Sequence, residues 1–186
     1  MIRLHAHKGC ISVTKYLEGE QLSEIRHEYI DGQVYAMGGA SDRHGIIAGN
    51  LFMSLRPRSR EKQCQLFIAD MKVFLKISGQ DIFYYPDLLL SCDPTDRESY
   101  FRQAPCLIIE VLSESTERID RREKMLAYQT LPSLLEYVLV AQDDRQVEIY
   151  RRRNEWQPEV INEGTFHLDC LDLTVMIDDV YEDVTV

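Results

Sequence analysis

Tyr85-Pro86-Asp87-Leu88-Leu89-Leu90 and Leu107-Ile108-Ile109-Glu110-Val111-Leu112 are the two stretches on which the fold of this 186-residue chain turns. Each contains a near-continuous apolar run, Leu88-Leu89-Leu90 and Leu107-Ile108-Ile109, of the kind that forms central strands covered on both faces. Each also carries one acid, Asp87 at the start of the first and Glu110 near the end of the second. A carboxylate in an apolar strand is costly to desolvate unless it is paired, hydrogen-bonded or bound to a metal. If the two strands pair antiparallel, the start of one lies beside the end of the other, about 5 Å away. The spacing therefore predicts that Asp87 and Glu110 meet at one edge of a sheet. A hard cation such as Mg²⁺ is commonly held by one or two carboxylates together with phosphate oxygens and water. The simpler alternative is that either acid sits at a solvated strand end or pairs with an arginine of the helix that follows.

Working outward, residues 13–25 predict one or two short helices. Glu28-Tyr29-Ile30 and Gln33-Val34-Tyr35 flank Asp31-Gly32, a pair suited to a type I′ hairpin turn. Ser41 or Asp42 is placed to cap a helix over about 44–60, with Ile47, Leu51 and Leu55 on its buried face and Pro57 weakening its last turns. Residues 65–77 and 84–91 are each expected as one strand, followed by strands over 106–112 and 136–141. A helix over about 117–131 falls between these last two, capped by Ser115 or Thr116 and ended by Pro132. Strands near 146–151 and 156–161 complete a mixed α/β sheet. No repeat or linker interrupts the chain, so one domain over 1–186 is expected.

Composition narrows the function. The net charge is −10, with 31 acidic against 21 basic residues, which argues against a protein that grips a phosphate backbone by charge alone. No apolar run reaches the ~20 residues that span a bilayer, and residues 1–14 show no secretory signal. Five scattered cysteines, none at CxxC spacing, argue against a disulfide framework and a thiolate zinc site, so a cytoplasmic protein with reduced thiols is expected. Gly38-Gly39 lacks a phosphate-loop pattern, Ser113 and Ser115 lack a nucleophile elbow, and a metal role for His5 and His7 is not expected. Basic clusters at Arg56, Arg58, Arg60 and Lys62, at Arg118, Arg121, Arg122 and Lys124, and at Arg151, Arg152 and Arg153 offer phosphate contacts.

The segment Pro105-Cys106-Leu107-Ile108-Ile109-Glu110-Val111-Leu112-Ser113-Glu114-Ser115-Thr116, with Tyr85-Pro86-Asp87 before it and Asp120-Arg121-Arg122-Glu123-Lys124 after it, resembles a large family of restriction-endonuclease-like proteins. That family is abundant in cyanobacteria and belongs to the PD-(D/E)XK nuclease superfamily. The resemblance extends to residues 28–35, to Arg43-His44-Gly45 and to residues 136–140. It implies an α/β fold of the α+β type: a restriction-endonuclease-like mixed sheet flanked by helices, with an N-terminal β-hairpin. It places Asp87 and Glu110 at the two acidic motif positions. The lysine expected two residues after Glu110 is Leu112, and Lys124 is the natural substitute; the alternative is a surface lysine paired with Asp120 at i, i+4. Glu28 and Asp70 are further candidate acids, Glu28 as a catalytic residue or extra metal ligand and Asp70 as a metal ligand; the alternative for Glu28 is a pair with a neighbouring arginine. His44 is a candidate for phosphate contact or proton transfer. For Asp70 the alternative is a strand residue facing water, and for His44 a first-turn residue bonded to its loop.

These residues are expected to serve a Mg²⁺- or Mn²⁺-dependent endonuclease acting on DNA as a homodimer. Two alternatives remain open. One is a catalytically inactive binding or regulatory module on the same fold, favoured by Leu112 and by the acidity. The other is a hydrolase of a small phosphodiester.

Overall fold

The computed structural model describes residues 10–114 and 116–185. The His5/His7 pair and a capping role for Ser115 lie outside these residues. Helix α1 (Val13–Leu22) leads into the predicted hairpin, β1 (His27–Ile30) and β2 (Gln33–Ala36). Its turn residues Asp31 and Gly32 both take positive φ, 45° and 88°, as a type I′ turn requires. Helix α2 (Asp42–Glu61) is capped by the Ser41 hydroxyl, which accepts from the His44 N–H. It buries Ile47, Leu51 and Leu55 completely and runs through Pro57.

The strand expected over 65–77 divides into β3 (Gln65–Ile68) and β4 (Lys72–Ile77); the one expected over 84–91 loses residues 85–87 and leaves β6 (Leu88–Ser91), while its first residue ends a strand that was not expected, β5 (Gln80–Tyr84). In the first, Ala69 takes φ 62°, a left-handed conformation that a strand does not accommodate. In the second, Pro86 has no N–H to donate to a ladder. With β7 (Phe101–Arg102), β8 (Leu107–Val111), β9 (Glu136–Val140), β10 (Val147–Arg151) and β11 (Pro158–Ile161), the strands form two sheets. One has the order β2-β1-β5-β4-β7 and the other β11-β10-β9-β8-β6-β3. The chain thus crosses between sheets twice at one place, between β3 and β4 and between β5 and β6.

Helix α2 covers one face of the six-stranded sheet, over Leu66, Leu88, Leu90, Leu107, Ile109, Val138 and Ile149. The other face, carrying Leu89, Ile108, Tyr137 and Leu139, packs against β4, β5 and a helical segment over 117–128. That segment is the expected helix in three pieces: Glu117–Ile119, a π-helical turn Asp120–Lys124, and Met125–Tyr128. A hairpin of β12 (Thr165–Leu168) and β13 (Leu173–Met176), with the short helix Ile177–Val180, closes the α2 side. These last elements lie beyond the strands expected from the sequence, although Phe166 and Leu168 are buried in alternation with exposed Thr165 and His167. No helix among the described residues is long and apolar enough to cross a membrane.

The expectation of reduced thiols is corrected. Cys64 pairs with Cys92 and Cys106 with Cys170 as disulfides; Cys10 is free and exposed. Linear spacing hid both pairs: sheet register brings the first together, and the packing of the β12–β13 hairpin against the core brings the second together. Gln65 lies opposite Ser91, so Cys64 and Cys92, one step further out, face each other with Cα atoms 4.2 Å apart.

The hairpin turn yields the first prediction. A Cβ on Gly32 would meet a positive φ and collide with Sγ of Cys10. Gly32→Ala is expected to destabilise the protein by about 1–2 kcal/mol, read in urea as a lower midpoint at unchanged m-value.

Candidate active site

The edge predicted from the two acidic strands exists. β6 and β8 are antiparallel, with Leu88 opposite Ile109, so the next pair outward is Asp87 with Glu110. Oδ2 of Asp87 accepts a hydrogen bond from the Val111 N–H at 2.7 Å and lies 3.1 Å from Nε2 of His44. Glu110 is only 3% exposed. Its Oε1 accepts from the Tyr128 hydroxyl at 3.0 Å and from Nζ of Lys124 at 3.3 Å. Nζ of Lys124 also lies 3.0 Å from Oε1 of Glu28 and 3.2 Å from Oδ1 of Asp120. Glu110 is therefore neither at a solvated strand end nor paired with arginine.

Local structure explains how these groups meet. Along β8, Leu107, Ile109 and Val111 face α2, whereas Ile108, Glu110 and Leu112 face the 117–128 segment. Leu112 lies on the same face as Glu110 but is buried in the apolar cluster with Tyr128, Leu131 and Tyr137. The position that would carry the superfamily lysine is thus part of the core, and the cation arrives from the covering helix instead. The π-helical turn begins at Asp120 and ends at Lys124, and both side chains point inward. Such turns widen a helix locally and are frequent at functional sites. Lys124 does pair with Asp120, as the alternative held, but it is buried rather than on the surface.

The electrostatics follow from this packing. Burial alone would lower the Lys124 pKa, but Glu110, Glu28 and Asp120 hold it well above its ordinary value, so it remains an ammonium. Burial pushes Glu110 well above the usual carboxylate range against the pull of Lys124. Burial likewise raises the Tyr128 phenol, helped by the charge of Glu110, so it stays protonated and donates. Tyr84, whose ring centroid is 5.6 Å from Nζ of Lys124, is pushed up to about 12, first by burial and then by Glu28. For His44, burial lowers the pKa, but the hydrogen bond and charge of Asp87, with Asp120 behind it, outweigh burial and raise it.

Three carboxylates, of Glu110, Glu28 and Asp120, surround one ammonium, and Asp87 lies opposite Glu110 on the neighbouring strand. Oδ1 of Asp120 is buried, with Nζ of Lys124 3.2 Å away. An all-oxygen donor set with surplus negative charge fits a hard divalent cation. Asp87 and Glu110 would be its first holders.

The family model for Uma2, described as "Putative restriction endonuclease", matches residues 13–176. The chain belongs to the Uma2 family. Two curated relatives come from Synechocystis sp. (strain ATCC 27184 / PCC 6803 / Kazusa). Uncharacterized protein slr1290 is 33% identical over 175 residues, covering 92% of this chain and 91% of the relative. Uncharacterized protein sll1609 is 30% identical over 150 residues, covering 79% and 84%. A crystal structure of a putative nuclease belonging to DUF820 from Anabaena variabilis superimposes with a TM-score of 0.74 at 18% identity, covering 94% of this chain and 99% of that one. The Uma2 chain therefore has the mixed α+β, restriction-endonuclease-like fold that its sequence resembles.

Among the sequence candidates of this Uma2 protein, Asp87, Glu110, Lys124, Glu28 and His44 are brought together. Asp70 is not. The left-handed turn at Ala69 directs it outward, where its carboxylate is exposed and pairs with Arg26 at 2.9 Å. In the basic cluster of the 117–128 segment Lys124 is buried and Arg121 partly buried, whereas Arg118 and Arg122 are exposed. Arg121 makes a bidentate pair with Glu148 at 2.7 and 2.8 Å, and Arg118 pairs with Glu123. Arg151 is buried against Glu136. Two site residues escaped the sequence analysis, Asp120 as a site acid and Tyr128. Their signal was the spacing Asp120, Lys124, Tyr128, which repeats a polar residue every four positions along one helix face.

The raised His44 pKa gives the second prediction. The midpoint of the His44 ring resonances by NMR is expected above the ordinary 6.5, and Asp87→Asn is expected to lower it. The pair stabilises the fold fully below the unfolded value, and that contribution is lost as the pH rises through the higher folded value. An unchanged midpoint in Asp87→Asn contradicts the pairing.

Proposed function

We propose that this protein is a metal-dependent endonuclease that hydrolyses DNA phosphodiester bonds. The observation that supports it most is the meeting of Asp87, Glu110 and a buried Lys124 at one sheet edge in a member of the Uma2 family. A Mg²⁺ or Mn²⁺ ion held by Asp87 and Glu110 would supply Lewis acidity and an activated water. Lys124, kept as an ammonium by its three acids, balances negative charge developing on the phosphoryl oxygens. Glu28 and Asp120 hold that ammonium in place, and Tyr128 fixes the Glu110 carboxyl by donating to Oε1. Nε2 of His44 orients Asp87 through Oδ2. A cytoplasmic homodimer cutting two strands belongs to the same proposal.

A second reading is an inactive binding module on the nuclease fold. Two observations favour it: Leu112 is locked in the core, and Lys124 is already engaged by three carboxylates.

A cleavage assay on plasmid and single-stranded DNA, with Mg²⁺, Mn²⁺ or EDTA, separates the two. Under the nuclease proposal, cutting requires the metal, disappears in Asp87→Ala and Glu110→Gln, and falls about 10²-fold in Lys124→Ala. Circular dichroism must show that each variant is folded, because breaking a buried ion pair costs about 3–5 kcal/mol. A folded wild type that binds DNA or a protein without cutting under any metal supports the second reading.

A further inference from the structure

Four cysteines from four separate segments converge at the end of the six-stranded sheet remote from Glu110. Cys64 immediately precedes β3, Cys92 immediately follows β6, Cys106 immediately precedes β8, and Cys170 lies in the β12–β13 turn. Backbone contacts fix their places. The Cys106 N–H donates to the Leu90 carbonyl at 2.8 Å, and the Cys170 N–H donates to Oε2 of the buried Glu136 at 3.0 Å. The two disulfides abut: Sγ of Cys92 lies 3.6 Å from Sγ of Cys106. The sulfurs of Cys92, Cys106 and Cys170 all lie within 4.8 Å of one another, and Cys64 is bonded to the first of them.

We propose that, in its reduced form, this corner is a structural four-cysteine site for a soft divalent cation of the zinc class. Tetrahedral zinc with four thiolates at about 2.3 Å places neighbouring sulfurs about 3.8 Å apart, close to the Cys92–Cys106 separation. Thiolates select a soft cation, so this site differs in chemistry from the carboxylate edge. Four protein ligands leave no open position, which assigns the ion a structural role. It would tie β3, β6 and β8 to the C-terminal hairpin across the core beneath α2. Cys92 is exposed and Cys170 partly exposed, so an ion enters from solvent.

Conversion balances simply. Each disulfide takes two electrons and two protons to give two thiols: a dithiol supplies both and is itself oxidised to a disulfide, whereas a phosphine supplies the electrons and water the protons, the oxygen of water ending on the phosphine oxide. Each thiol releases its proton on binding the ion. The inference is independent of the proposed nuclease activity.

The test uses full-length protein reduced with a phosphine and titrated with Co²⁺, then with Zn²⁺. One Co²⁺ per chain is expected, with the sulfur-to-cobalt charge-transfer band and d–d spectrum of a tetrahedral tetrathiolate. Zn²⁺ should displace it and Mg²⁺ should not. The spectrum should survive Cys10→Ser and be lost in Cys92→Ser and Cys106→Ser. Alkylation of the reduced wild type gives a check independent of variants. Zn²⁺ should protect Cys64, Cys92, Cys106 and Cys170 and leave Cys10 reactive. Absence of the sulfur-to-cobalt band, its persistence in both variants, or equal alkylation of all five cysteines with Zn²⁺ present overturns the proposal.

Discussion

The burial of one carboxylate governs this structure. Glu110 sits in a central strand at 3% exposure, where an unpaired charge or an unpaired carboxyl would each cost several kcal/mol. The surroundings answer that cost at close range, with the Lys124 ammonium and the Tyr128 hydroxyl both on Oε1. Supplying them requires the 117–128 segment to lie across the sheet with Asp120, Lys124 and Tyr128 facing in. The π-helical turn is the local distortion through which that face is presented. Lys124 in turn needs more than one counter-charge, and Glu28 from the first hairpin provides a third acid. The site and the packing of three elements are thus one constraint.

The second sheet matters because it brings Glu28 to that edge. β1 pairs with β5, and β5 continues past Pro86 into Asp87 and β6. A single uninterrupted strand would have kept the hairpin and the central sheet in one plane. The breaks at Ala69 and Pro86 separate them, and the carboxylates gather where the two sheets diverge. The same break explains why Asp70 is lost to solvent while Asp87, close to it through the Ala69 N–H to Asp87 carbonyl bond, is retained.

Strand β8 links the two ends of the molecule. Glu110 lies toward its exit and Cys106 immediately before its entry. One end gathers oxygen donors and the other sulfur, so the two proposed sites would take different cations. Among the described residues Arg121 pairs with Glu148, Arg151 with Glu136 and Arg58 with Asp172, while Arg56 and Arg60 on α2 and Lys62 just after it are exposed.

The sequence by itself determined the hairpin turn, the buried face of α2, the central strands, and the meeting of Asp87 with Glu110. Each of these follows from local rules: a turn needing positive φ, an apolar period of four, and apolar runs carrying one misplaced acid. The restriction-endonuclease-like resemblance was also legible, because it rests on linear motifs. Tertiary structure alone decided three matters. It divided the strand expected over 65–77 between two sheets, because the positive φ at Ala69 had no sequence signal. It placed Lys124 inside rather than on the surface, because an i, i+4 pair looks the same on either face until the helix packs. It gathered four scattered cysteines into one corner, because antiparallel register joins Cys64 to Cys92 and hairpin packing brings Cys170 to Cys106, and spacing along the chain carries no trace of either.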